Sequence, residues 1–319
     1  MSSPTVPRIA LFGECMIELR GTAFGAMTQG YGGDTLNTAV YLARCGGPRV
    51  DVSYATALGD DPLSTGMMSR WAEQGIGLSL VRRLPGRMPG LYQIDVDARG
   101  ERHFSYWRDQ AAARAYFDTD TPTPLETDPP PCDWLYFSGI SLAILPAAGR
   151  TRLLQLAARL REHGGRVVFD NNYRPRLWPQ AAEATAAYNA ALATADIALL
   201  TLDDHQAWRA ASGAPADAES ALAHAAALAV PEVVIKRGAE STLLRLGQHA
   251  PWHAVPTTPV AQVVDTTAAG DSFAGAYLAS RATGGTPLEA AARGNRVAAR
   301  VVQYPGAVIP WEAMADDVH

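Results

Sequence analysis

Short apolar runs alternate with helical patterns along most of the chain. Residues 9–12, 52–57, 134–138, 167–170, 197–201 and 233–236 are mostly apolar runs of strand length. Between them, residues 36–44, 63–74, 147–163, 181–193 and 218–229 read as helices. Strands buried on both faces and separated by helices predict an α/β fold, a mostly parallel sheet with helices on both faces. In such a sheet, ligands bind beyond the C-terminal ends of the strands.

One region follows a different period. Residues 91–96 and 101–107 alternate apolar and polar positions around the sequence DARGE, the pattern of a β-hairpin. Together with an irregular stretch at 21–30, this hairpin predicts a small β-lid. The lid draws on segments at about 14–31 and 90–109 and belongs to a single α/β domain spanning 1–319. The proline-rich stretch 121–131 reads as a loop.

Composition narrows the classes. Of 319 residues, 48% are hydrophobic and 18% charged, enough to bury a large core. The net charge of −5, with no basic stripe, argues against a nucleic-acid partner. Cys15, Cys45 and Cys132 are scattered, with no C-x-x-C pair, so neither a disulfide framework nor a zinc site is expected. The N-terminus lacks the basic-then-apolar pattern of a signal peptide, and no apolar run approaches the roughly 20 residues of a membrane span. The expected setting is the cytoplasm, with no membrane partner.

Three stretches carry candidate chemistry. In DTTAAGDSF (265–273), small residues leave backbone N–H groups bare just before a helical run at 272–281. Free amides at a helix start, reinforced by the helix dipole, form an anion pocket. Asp271 at that point either caps the helix or acts as a base beside the pocket. In GGDTLNTA (32–39), Gly33, Asp34 and Asn37 either make a capped glycine loop or meet the hydroxyls of a polyol. At a strand end, Lys236, Arg237 and Gly238 include the one lysine of the chain, whose other basic residues are all arginine. There is no Walker-type G-K-[ST] loop and no G-x-G-x-x-G after the first strand. The sequence GDDP at 59–62 reads as helix capping, without a ligand.

Taken together, GGDTLNTA and DTTAAGDSF resemble the two signatures of the ribokinase-like (PfkB-type) carbohydrate kinases. Other stretches, GECMIEL, MPGLYQIDVDARGERHFSYWR, SGISLAIL, FDNNYRPRLW and VVIKRGAEST, extend the likeness to the branch that acts on a keto-deoxy sugar acid. The resemblance implies a ribokinase-like fold and an enzyme that uses ATP and Mg²⁺ to phosphorylate a small sugar acid. It implies Asp271 as catalytic base and Ala268, Ala269 and Gly270 as anion hole. It implies sugar contacts from Gly33, Asp34 and Asn37, lid contacts from Tyr92, Tyr106 and Arg108, and Arg174 near the carboxylate and phosphoryl path. Lys236, Arg237, Gly238 and Asn295 fall where the family holds the nucleotide. The family's N-x-x-E motif stands here only as Thr201-x-x-Asp204, so the metal-linked residue is not assigned. A carboxylate substrate calls for a fixed arginine, and Arg108, on the same strand face as Tyr106, fits that need. A neutral-sugar kinase, of the fructokinase or ribokinase kind, and a non-catalytic sugar sensor are the alternatives. Strand edges on the lid predict a homo-oligomer, a dimer or higher.

Overall fold

The computed structural model describes residues 6–96 and 102–317; the predicted lid turn at 97–101 lies outside the described residues. In chain order the first elements are β1 (Arg8–Phe12), β2 (Met16–Gly21), β3 (Met27–Gly32) and α1 (Asp34–Gly46). They are followed by β4 (Asp51–Leu58), α2 (Pro62–Glu73), β5 (Val81–Arg83), β6 (Leu91–Val96) and β7 (Arg102–Trp107). The middle of the chain forms β8 (Trp134–Ser138), α3 (Gly139–Ile144), α4 (Ala147–Glu162), β9 (Arg166–Asp170), α5 (Ala181–Thr194) and β10 (Ile197–Thr201). The last part contains α6 (Leu202–Ala211), α7 (Ala218–Ala227), β11 (Glu232–Arg237), β12 (Glu240–Leu246), β13 (His253–Val255), α8 (Ala269–Ala282) and α9 (Pro287–Val301).

The main sheet runs in the order β13-β12-β11-β10-β9-β8-β1-β4-β5. Its interior pairs are parallel, and only β12 and β13 join antiparallel at one edge. The apolar runs are continuous because both faces are covered. In β1, Ile9 and Leu11 pack into the core that holds α1, α8 and α9, while Ala10 and Phe12 pack into the opposite core beneath α4 and α5. Full burial of side chains the size of Ile9, Leu11 and Phe12 contributes roughly 1.5–3 kcal/mol each. The α/β expectation holds, with strand limits within a residue or so of those predicted.

A second sheet has the order β3-β2-β6-β7. Within the stretch expected to be irregular at 21–30, only 22–26 are a turn; Gly21 ends β2 and Met27–Gly30 begin β3, an antiparallel pair with Met16 opposite Gly32 and Gly21 opposite Met27. Its sequence, MTQGYG in β3, has too little apolar alternation to announce a strand. Helix α6 was also not foreseen. Among its buried residues only His205 and Trp208 face the core, too few to set up a visible period.

What positions the site is the contact between α1 and α8. A Cβ placed at Gly275 would lie 2.7 Å from Leu42 N, Thr38 O and Tyr41 Cβ. Only a hydrogen fits there, so the two helices touch backbone to backbone. One turn earlier on each, Asn37 Nδ2 donates to Asp271 Oδ2 at 2.9 Å.

Substituting Gly275→Ala improves helix propensity by about 1 kcal/mol but overpacks the crossing by about 1–3 kcal/mol, so a net loss of up to about 2 kcal/mol is expected. Urea unfolding would show a lower midpoint at unchanged slope; a midpoint that stays or rises would mean the crossing tolerates a methyl group.

Candidate active site

A cavity of about 630 Å³ opens at the C-terminal ends of the central strands, beneath the small sheet. Its floor is the start of α8. Ala268, the residue before the helix, has φ 60° and ψ 14°, the left-handed region. An alanine is strained there, where a glycine would not be. Of the predicted anion-hole amides, Ala269 N–H is already bonded to Thr266 O at 3.2 Å. The N–H groups of Ala268, Gly270 and Asp271 have no hydrogen-bond acceptor among the described residues. They are the unpaired donors of a helix start, directed where the dipole favours an anion.

Asp271 is the third residue of α8, and its carboxylate caps nothing. The capping reading therefore fails for this residue. It succeeds at Asp61, whose side chain accepts from Ser64 N at 2.9 Å at the start of α2. Burial, and then the negative charge of Asp34 and Asp170, pushes the Asp271 carboxyl up to about 8; the Asn37 amide and the Lys236 ammonium act in the opposite direction. A carboxylate in such surroundings is a capable proton acceptor near neutral pH.

Asp34 is likewise not a cap. Its Oδ2 accepts from Ser138 Oγ at 2.5 Å and Asn172 Nδ2 at 2.7 Å. Burial raises its carboxyl above the ordinary range against those two bonds. Gly33 lines the cavity, but its lack of a side chain has a local cause: a Cβ would meet Glu14 O at 2.1 Å. At Gly32 a Cβ would meet the Tyr92 hydroxyl at 2.4 Å, so glycine there lets the small sheet sit close.

The opposite wall carries the positive charge. Lys236 Nζ donates to Asp170 Oδ2 at 2.8 Å, and a Cβ on Gly270 would lie 3.4 Å from the same ammonium. The chain's one lysine thus stands beside the bare amides. Arg174 Nη1 pairs with Asp204 Oδ1 at 3.0 Å. Arg237 is engaged with Glu240 at 2.7 Å and Ser241 O at 2.9 Å. Asn295 lines the cavity, yet its side chain serves the fold: it accepts from Thr242 Oγ1 at 2.7 Å and donates to Pro256 O at 3.0 Å. Gly238 also lines the cavity.

Tyr92, Phe104 and Tyr106 of the small sheet form an aromatic ladder over the opening, with ring centroids 6.0–6.4 Å apart. Two predicted residues do not line the cavity. Asn37 stands behind Asp271, and Arg108 is drawn aside onto Glu14. Sequence reasoning passed over Asp170 and Asn172 in FDNNYRPRLW, although both line the cavity. The available signal was a run of polar residues directly after a buried strand in a parallel sheet. Among the described residues no group of three His, Cys, Asp or Glu side chains is placed to hold a metal, and no helix is long and apolar enough to cross a membrane.

The pfkB family of carbohydrate kinases matches over residues 6–314. The 2-dehydro-3-deoxygluconokinase of Dickeya dadantii (strain 3937) is 48% identical, with 97% of this chain and 99% of that protein covered. The 2-dehydro-3-deoxygluconokinase of Escherichia coli (strain K12) is 46% identical, with 96% and 98% covered. In fold, the chain is similar to the crystal structure of aminoimidazole riboside kinase from Salmonella enterica complexed with aminoimidazole riboside and an ATP analog. That likeness has a TM-score of 0.79 at 24% identity and covers 98% of this chain and 100% of the other.

Relieving the left-handed alanine should stabilise the protein. For Ala268→Gly we expect a gain of about 0.5–1 kcal/mol, the released strain exceeding the extra freedom of glycine in the unfolded chain. Thermal unfolding would register it, and a lower melting temperature would contradict the strain.

Proposed function

The chain belongs to the pfkB family of carbohydrate kinases, and we propose that its acceptor is 2-dehydro-3-deoxygluconate, phosphorylated at the 6-hydroxyl by ATP. The observation that carries this choice is the match, at 46–48% identity over nearly the whole length, to two relatives bearing that activity in their names. The cavity supports it physically, since Lys236 and Arg174 give it fixed positive charge, and Arg108, just off the lining, lies 5.9 Å from the ring of the lining residue Tyr106.

In this reading the sugar lies between Asp34 and the aromatic ladder, with its 6-hydroxyl toward Asp271. Asp271 accepts the hydroxyl proton as the new bond forms between O6 and the γ-phosphorus. The bond from that phosphorus to the β-bridging oxygen breaks, and ADP leaves. The free amides of Ala268, Gly270 and Asp271, with Lys236 beside them, stabilise charge on the phosphoryl oxygens in transit. Asn37 orients the base through its bond to Oδ2. Mg²⁺ bound with the nucleotide would neutralise phosphate charge. It needs only one or two protein carboxylates for that, and Asp204 and Asp170 on the wall fit the requirement, with Thr201 beside them. The small sheet acts as the lid that excludes water. Its open edges, β3 and β7, are the strands through which copies would pair into a homo-oligomer.

ADP release with 2-keto-3-deoxygluconate beside fructose, ribose and gluconate tests the substrate. The keto-deoxy acid should lead in kcat/KM by at least ~10-fold; fructose or ribose in the lead would replace the assignment with a neutral-sugar kinase, and no turnover with any of them would favour a sensor.

Asp271→Asn should cut turnover by about 10²–10⁴-fold. Because the base must be ionised and its carboxyl is pushed up to about 8, kcat/KM for the sugar should decline as pH falls below that value. A flat wild-type profile from pH 6 to 9 would remove Asp271 from the role.

A further inference from the structure

Three segments cross between the main sheet and the small one, and they meet at a buried ion pair. Glu14 lies between β1 and β2, Gly90 just before β6, and Arg108 just after β7. Arg108 Nη2 donates to Glu14 Oε2, and the two side chains are 11% and 1% exposed. A Cβ on Gly90 would sit 2.9 Å from Glu14 Oε1 and Met16 Cγ and 3.3 Å from Arg108 Cβ, so glycine is what lets the three segments close on one point. Ile17 N bonds Gly90 O at 2.8 Å across the same junction.

This pair is poorly arranged for stability alone. Glu14 Oε1 is buried without a hydrogen-bond partner among the described residues. Burial pushes the Glu14 carboxyl above the ordinary range even though Arg108 acts against it. An apolar pair of similar volume would hold such a junction as well or better. The guanidinium does have an outlet, however. It lies 5.9 Å from the centroid of the Tyr106 ring, and Tyr106 and Met16 both line the cavity. Arginine carries five N–H donors in a rigid fork and can serve two carboxylates at once. Glu14 takes one edge, and the other N–H groups of Arg108 have no acceptor among the described residues.

We infer that Glu14 is a positioning residue, which holds the Arg108 fork at the cavity rim so that its open edge receives the carboxylate of the sugar acid. The inference rests on the sugar-acid reading above. On binding, no covalent bond changes and no proton moves. Arg108 keeps Glu14 on one side and gains the substrate on the other, as the aromatic ladder closes over the ring. Without Glu14, the guanidinium would be free to swing on its flexible stem, and the acid end of the substrate would lose a preformed partner.

The test is a kinetic cycle on the full-length protein: Glu14→Gln, Arg108→Ala and the double variant, with KM measured for 2-keto-3-deoxygluconate and for ATP. Loss of a charge-assisted bond predicts that Arg108→Ala raises KM for the acid by about tenfold or more, and Glu14→Gln by several-fold. In both, kcat should stay within about twofold and KM for ATP should not move. Adding Glu14→Gln to Arg108→Ala should change KM for the acid no further. Glu14→Asp, which keeps the charge one methylene back, should recover part of the loss, and it carries the same comparison if the glutamine variant does not fold. A Glu14→Gln variant that weakens acid and ATP alike, or adds its full effect to Arg108→Ala, would make Glu14 merely structural and overturn the inference. If Arg108→Ala itself leaves KM for the acid unchanged, the carboxylate reading of this rim fails; if it raises KM while Glu14→Gln does not, only the role of Glu14 fails.

Discussion

The bond from Asn37 to Asp271 joins residues 234 positions apart, and the rest of the site is arranged around it. It forms because α1 and α8 lie in direct backbone contact at Gly275. Two helices locked in this way present their N-terminal ends to one space, and each end brings unpaired amides and the positive end of a dipole. The segments GGDTLNTA and DTTAAGDSF, from opposite parts of the chain, thereby become the two halves of one cavity wall. Any wider residue at the crossing would separate them, and the acid at 271 would lose the amide that orients it.

The electrostatics of the cavity follow from this convergence. Asp34, Asp170 and Asp271 face one ammonium, that of Lys236. Asp34 is satisfied by hydroxyl and amide donors, and Asp170 by the lysine itself. Asp271 has only the Asn37 amide, and burial pushes its carboxyl up to about 8. The five aspartates that line the cavity would repel an anionic ligand if amides, Lys236, Arg174 and Arg237 were not interleaved with them. The two walls of the cavity are therefore distinguished less by net charge than by which acids already have partners.

Much of the main sheet was legible because its strands are buried on both faces and so must be apolar without interruption. The runs at 134–138 and 197–201 are the same segments as β8 and β10. Strand β3 and helix α6 were not legible, since one is glycine-rich and half-wet and the other buries little more than His205 and Trp208. Asp271 was legible as a carboxylate beside bare amides from the turn before it. The left-handed backbone at Ala268 was not, because composition says nothing of φ. Asp170 and Asn172 were hidden by their neighbourhood, where polar residues after a strand read as an ordinary loop. Arg108 was chosen for its strand face, but its partner Glu14 lies 94 residues away, and no local pattern encodes so distant a contact.

The lone lysine has a further consequence. Lys236 is 9% exposed and enclosed by Asp170 and the start of α8, while every other side chain among the 27 lysines and arginines is arginine. The surface therefore offers no ε-amine to acylating reagents, to carbonyl compounds or to proteases that cleave after lysine alone. Apart from the chain's amino terminus, amine chemistry on this protein is chemistry inside its cavity, and a bound occupant would shield it.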